Sequence, residues 1–180
     1  KVAEKRRIKQ KELAEKYGAD SVRFYMLNSP VVRGEELRFA ALGVDEVLKK
    51  ITLRLDNVRS FYELYAGDAE ITRVLSDHPH VLDKWIVARW HEMHAEVTHH
   101  LDTHELDKAT RPIMPFLDDL STWYLRRSRD RFKSDDEEER AQAIETTGWI
   151  LFQFAKMIAP FMPFLAEDLY QRLAIAEKKE

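Results

Sequence analysis

Residues 81–101 read Val-Leu-Asp-Lys-Trp-Ile-Val-Ala-Arg-Trp-His-Glu-Met-His-Ala-Glu-Val-Thr-His-His-Leu. Leu82, Ile86, Trp90, Met93, Val97 and Leu101 return at steps of three and four. In a helix these six make one apolar stripe, which has to be covered by other elements. The same spacing recurs on both sides. Upstream, beyond a polar stretch over 67–80 that contains Pro79, Val44, Val47, Leu48, Ile51, Leu55, Val58, Tyr62 and Tyr65 predict a helix over 43–66, ended by Gly67. Downstream, Ile113, Phe116, Leu117, Leu120 and Tyr124 predict a helix over 108–132 capped by Asp107. Pro112 and Pro115 lie inside that pattern and predict a kink or a broken first turn. Ser134 and Glu137 have the spacing of a capping box. They predict a helix over 135–158, with Ile144, Leu151, Phe154, Ala155 and Ile158 inward and Pro160 as its stop. Shorter helices are expected at 8–17, closed by Gly18, at 21–28, capped by Asp20, and at 162–174. Residues 30–42 read as a connector with a short helical or irregular piece at Glu35–Ala40. No strand pattern of any length and no internal repeat is present. Short connections favour antiparallel neighbours, so the expected fold is all-α: an antiparallel bundle of four long helices plus shorter N- and C-terminal helices.

The bulk properties agree. The 180 residues fit one domain, or one domain with an appendage, and can bury a proper core. A hydrophobic fraction of 44% excludes a disordered chain, and only 5 Gly and 6 Pro favour helices. The absence of cysteine excludes disulfide frameworks and thiolate metal sites, and fits a reducing compartment such as the cytoplasm. The longest apolar run, Ile158 to Ala166, is too short to span a membrane and contains Pro160 and Pro163. The charged start (Lys1, Glu4, Lys5, Arg6, Arg7) lacks the apolar core of a signal peptide. Without an initial Met, the chain reads as a fragment or as a processed terminus. The net charge of −3 speaks against a general nucleic-acid binder, so any RNA reading must rest on a local patch.

Candidate chemistry is sparse. His91, His94, His99, His100 and His104 lie close together, but His91 and His94 are three apart, where the helical zinc motif needs four. They read as solvated helix residues, and no metal ligand is assigned. There is no nucleophile elbow and no glycine-rich phosphate loop. Asp118 and Asp119 are adjacent and point apart on a helix, which reads as one exposed and one structural carboxylate. Asp135–Glu139 reads as a solvated helix start. No catalytic residue is assigned.

The densest local signal is Trp123-Tyr124-Leu125-Arg126-Arg127-Ser128-Arg129-Asp130-Arg131-Phe132-Lys133. Four arginines and one lysine face a single aspartate. Arg127 and Arg131 are expected on one face, Arg126 and Arg129 on another. Such a ridge can grip RNA phosphates and stack on unpaired bases. It can equally be a solvated helix end that suits the dipole. Trp123 and Tyr124 read as core residues holding the helix to the bundle, rather than as stacking platforms. The basic stretch Lys5–Lys11 is a second, weaker candidate.

Asp118 to Phe132 closely resembles the "DDLSNWYIRRSRRRFW" segment of isoleucyl-tRNA synthetases, members of the class I aminoacyl-tRNA synthetases. Tyr17–Tyr25 is similar to "YGADALRLYLL", Ser29–Phe39 to "SSPVVRGEDLRF", Asn57 with Phe61, Tyr62, Tyr65 and Ala66 to "WNTYSFFTLYA", Asp83–Arg89 to "DRWILARL", and Ala159–Tyr170 to "APFTPFLAEELYQ". The resemblance spans about residues 12–173. It implies that residues 1–34 are the tail of a catalytic, stem-contact region and that 35–180 form an anticodon-binding helical bundle. It implies an RNA-contact set of Arg126, Arg127, Arg129, Arg131, Lys133 and Asn57, with Trp123 and Tyr124 as structural support. It implies a parent enzyme that charges isoleucine tRNA using ATP and Mg, with no cofactor in this fragment, and partners that are the tRNA and the remaining synthetase domains. Departures are present: Lys1–Lys11 does not show the lysine-rich signature loop, Leu55-Asp56 replaces the usual residues before Asn57, Pro112 and Pro115 are unusual, and Lys133 stands where the family often has Trp. The valyl or leucyl branch of the same class, and a helical protein–protein interaction module, are the alternative readings.

Overall fold

The structure is a computed structural model and describes residues 12–36, 39–67, 69, 71, 74–76 and 80–174. The basic stretch Lys5–Lys11 and the first part of the helix expected at 8–17 lie outside those residues. Residues 12–17 are helical. Then come α1 (Ala19–Leu27), a 3-10 turn (Pro30–Arg33), α2 (Ala41–Val47), α3 (Arg54–Ala66), α4 (Val81–Asp102), α5 (Leu106–Thr110), α6 (Ile113–Asp118), α7 (Arg126–Phe132), α8 (Glu137–Ile158) and α9 (Pro163–Ala174). A π-helical segment, Leu48–Leu53, joins α2 to α3, and a second, Asp119–Leu125, joins α6 to α7. Each makes one continuous rod. Among the described residues there is no strand, and no helix is long and apolar enough to cross a membrane.

The fold is therefore an all-α bundle of four long rods: α2–α3, α4, α6–α7 and α8. Cross-contacts give their directions. Asp83 meets Arg131, Trp85 meets Trp123 and Arg89 meets Asp119, so α4 runs antiparallel to α6–α7. The stripe read from 81–101 is the buried one: Ile86, Trp90, Met93 and Val97 are all in the core. Trp90 sets its ring edge-on to Phe116 and Phe154, at 5.6 and 6.3 Å between centroids, and those two stack on each other. Burying one such side chain contributes roughly 1.5–3 kcal/mol, so this aromatic centre carries much of the packing. Gly148 lets α8 approach α3 closely, because a Cβ there would lie 2.8 Å from the Tyr62 hydroxyl.

Three helix caps differ from the sequence expectation. The start of α8 is capped by Asp136, whose carboxylate accepts from the backbone N–H of Glu138 and Glu139. Ser134 instead accepts from the N–H of Asp136, so the capping box is replaced by a cap two residues later. Asp107 does not cap. It lies buried within α5 and accepts from Arg33 and Arg111, because two guanidinium groups compensate its charge better than backbone N–H groups would. Asp20 sits inside α1, not before it. Gly18, at φ +84°, makes the turn that a side chain with a Cβ would resist. The Asp20 carboxylate reaches across the chain and accepts the Leu165 N–H at 2.7 Å, in the first turn of α9. Around it, Arg23 donates to the Pro160 carbonyl at 2.9 Å and Phe24 packs edge-on against Phe161. Pro112 and Pro115 break the helix as expected. The chain turns at Arg111–Pro112 and restarts at Ile113, with Pro115 in the first turn, where its missing N–H has no partner to lose.

Candidate nucleic-acid interface

The basic helix is built by a change of phase. Up to Leu120 the rod turns a core face of Ile113, Phe116, Leu117 and Leu120 inward. At the regular 3.6-residue period, the next inward positions after Tyr124 would be 127 and 131. The π segment Asp119–Leu125 closes its turns one residue later and rotates the helix beyond it. Ser128, Arg131 and Phe132 face the core beyond it, and Arg127 faces solvent. Phe132 is gripped by Phe61 and Tyr65 of α3, at 4.9 and 5.7 Å between centroids, which fixes the phase.

Arg131 is the exception to the expected ridge. It is 5% exposed and donates through both terminal nitrogens to Asp83, at 2.8 and 2.6 Å. The Tyr124 hydroxyl donates to the same carboxylate at 2.7 Å. Glu139 lies 3.8 Å from the remaining Arg131 nitrogen. Burial opposes the charge on Arg131, but the Asp83 carboxylate overcomes it, so its pKa moves up. Burial and then the Asp83 charge push the Tyr124 phenol far above its ordinary value. This is a buried, hydrogen-bonded ion pair on the core side of α7. Arg131 therefore does not belong with the outward arginines, and the expected shared face of Arg127 and Arg131 does not form.

The outward set is Arg126, Arg127, Arg129 and Lys133, all exposed. None of the four has a carboxylate partner among the described residues. Most other arginines on the surface are paired. Arg54 donates to Asp118 at 2.6 Å, Arg89 to Asp119 at 3.0 Å, and Arg59 is held between Asp56 and Glu63. Both carboxylates of the Asp118-Asp119 pair thus bridge to neighbouring helices. The unpaired cations stand apart from that pattern. Their patch is interrupted by Asp130 and bounded by the acidic start of α8. Asn57 is exposed on α3, between Arg54, which reaches Asp118, and Phe61, which reaches Phe132. That places it alongside the rod that carries the arginines.

Trp123 also differs from the reading as a core residue. Tyr124 is fully buried, but Trp123 is 49% exposed. Its ring lies against Trp85 of α4, at 6.2 Å between centroids, and the Arg127 guanidinium sits 3.9 Å above it. Asp83 and Trp85 are the two residues that sequence reasoning misses. Asp83 has a signal: it continues the 86–90–93–97 stripe one step back, and a carboxylate at a core position demands a cationic partner. The histidines of α4 lie mainly on its outer side. His91, His94 and His99 are exposed, and His100 pairs with Glu105 at 2.9 Å.

Comparison with known proteins gives two findings. Residues 83–180 match the family described as the anticodon-binding domain of tRNA ligase. The chain is also similar to proteins named isoleucine–tRNA ligase: 38% identical to that of Chlamydia muridarum over 94% of this chain, 39% to that of Chlamydia pneumoniae over 94%, and 36% to that of Protochlamydia amoebophila over 94%. In each case the match covers 17% of the relative's length.

Proposed function

Because the chain belongs to the family of anticodon-binding domains of tRNA ligases, we propose that its outward arginine face docks the anticodon stem-loop of isoleucine tRNA. The observation that carries this is the set of exposed cations on α7, unpaired within the described residues, in a bundle whose other surface arginines are mostly paired. Arg126, Arg127 and Arg129 would meet phosphates or base edges, with Lys133 at the end of the face and Asn57 on the neighbouring rod. Arginine suits this task, since its planar fork binds phosphate with two hydrogen bonds and stacks on bases. Arg131 is assigned to the fold instead.

The parent protein is proposed to be an ATP-dependent, cytoplasmic isoleucine–tRNA ligase. Residues 1–34 would be the tail of its catalytic, stem-contact region and 35–180 the bundle. ATP and Mg would serve the catalytic part. These 180 residues alone should catalyse nothing and should bind RNA weakly, since the proposed parent would hold the RNA at several places at once. The similarity to isoleucine–tRNA ligases supports isoleucine over valine or leucine.

The test is a titration of this chain with unmodified isoleucine, valine and leucine tRNA transcripts at two salt concentrations. Preference for the isoleucine transcript, with affinity falling as salt rises, is expected. Preference for the valine transcript would move the chain to that branch. No binding to any of them would leave a protein–protein module as the better reading.

A further inference from the structure

The bundle leaves an aromatic strip open next to the cations of α7. Val81 is exposed in the first turn of α4, and Trp85, four residues on, shares its face. Trp85 meets Trp123, and Arg127 covers part of the Trp123 ring. Lys84, Arg126 and Arg129 are exposed close by in sequence and have no carboxylate partner among the described residues. Tyr124, the next residue after Trp123, is packed without exposure and hydrogen-bonded. The π segment ending at Leu125 therefore presents one aromatic to the core and its neighbour to solvent.

We propose that Trp123 and Arg127 together form the stacking platform for one unpaired base of the RNA, while Arg126 and Arg129 hold the phosphates on either side of it. The inference rests on the RNA-docking reading above and deepens it, by assigning which surface takes a base and which takes backbone. Three features favour a nucleobase over an acidic peptide. Trp123, tilted 47° against Trp85 and overlaid by the Arg127 guanidinium, makes a layered aromatic–cation surface on which a base can stack whatever its sequence. The Arg127 guanidinium, 3.9 Å over the ring, is the planar outer layer of that surface and adds charge to it. The cations are arginines, which stack on bases as well as binding phosphate. An acidic peptide would use the charge but leave the indole pair uncovered. A fully paired duplex would offer phosphates but no free base face.

The experiment uses the full chain and two RNAs: the isoleucine tRNA anticodon stem-loop, and the same stem with its loop bases replaced so that every base is paired up to a minimal tetraloop. Trp123→Ala should weaken stem-loop binding roughly 5- to 100-fold, as expected for loss of base stacking, and leave the salt slope unchanged. The paired RNA should bind both proteins alike, and Trp123→Phe should keep most of the affinity. Fluorescence gives a readout that survives poor folding of the alanine variant. The stem-loop should quench wild type more than Trp123→Phe, and the paired RNA should quench the two equally. Three outcomes overturn the proposal. In the first, wild type binds the stem-loop but Trp123→Ala binds as well and quenching is equal, so the docking reading stands and the platform does not. In the second, affinity for both RNAs falls together with the salt slope, so Trp123 only holds Arg127 in place. In the third, wild type binds neither RNA but binds polyglutamate, which removes the docking reading as well.

Discussion

Arg127 and Arg131 are one helical turn apart on the same short helix and do opposite work. Arg131 points into the bundle, pairs with Asp83 at two nitrogens and ties α7 to α4. Arg127 points out, meets no carboxylate among the described residues and lies over an exposed indole. Residue type and local spacing are the same for both. What separates them is the inward arc of α7, which takes in 128, 131 and 132 but not 127, and the buried Asp83 carboxylate opposite Arg131. A basic run is therefore not one feature. Here it is a structural clamp and a free surface laid along the same helix.

The contrast can be broken most forcefully at the clamp. Asp83→Ala or Arg131→Ala leaves one charge buried without its partner and should cost about 3–5 kcal/mol in a urea unfolding experiment. The triple change Asp83→Leu, Arg131→Met and Tyr124→Phe, which also removes the hydroxyl bonded to Asp83, should recover most of that loss. A loss below about 1 kcal/mol for either single change, the range of an exposed pair, would mean that the pair is not closed in solution. Next in size is Gly148→Ala. Its Cβ would meet the Tyr62 hydroxyl at 2.8 Å and the ring carbon behind it at 3.0 Å, so overpacking of about 1–3 kcal/mol is expected. Tyr62→Phe in the same chain should relieve part of it. Burial pushes the Tyr62 phenol up to about 12, so the ring should stay protonated in a spectroscopic titration through the ordinary tyrosine range.

On the free side the expected effects on stability nearly vanish. Arg126→Ala, Arg127→Ala and Arg129→Ala should each stay within about 0.5 kcal/mol of wild type. Each should lower the salt slope of RNA binding by about 0.7 if it contacts one phosphate. An unchanged slope for Arg129→Ala would remove that residue from the interface. The smallest effect should come from Asp20. Desolvation raises its pKa, and the backbone N–H groups of Leu165 and Phe164 only partly offset this. A carboxyl with a raised folded value favours the native state when protonated. That contribution is complete below the ordinary carboxylate pKa and is lost as pH rises through the folded value. Wild type should therefore gain stability relative to Asp20→Asn as pH is lowered from neutral toward the ordinary carboxylate range, in paired urea midpoints.

The bundle is legible because its cores are periodic. Leu55, Val58 and Tyr62, Ile86 and Trp90, Phe116 and Leu120, and Ile144 and Leu151 are all buried where the three- and four-residue spacing puts them. The residues that mislead share a different property: their partners are far away in sequence. Asp20 and Leu165, Asp107 and Arg33, and Asp83 and Arg131 are joined across the fold. Local spacing gives Asp20 and Asp107 to the nearest helix start and Arg131 to solvent, because only the assembled bundle brings their counterparts near. Trp123 misleads for another reason. The change of phase within Asp119–Leu125 leaves no mark in a 3.6-residue pattern, so an aromatic next to a core tyrosine looks like core itself.

The clasp between α1 and α9 also orders events in time. Asp20, Arg23 and Phe24 leave the ribosome before Pro160, Phe161 and Leu165, which follow 137 to 145 positions later. At roughly 5–20 residues per second, that interval is on the order of ten seconds. Throughout it, α1 has no α9 to cap and no Phe161 ring to meet. Synthesis of α9 is what lets α1 settle.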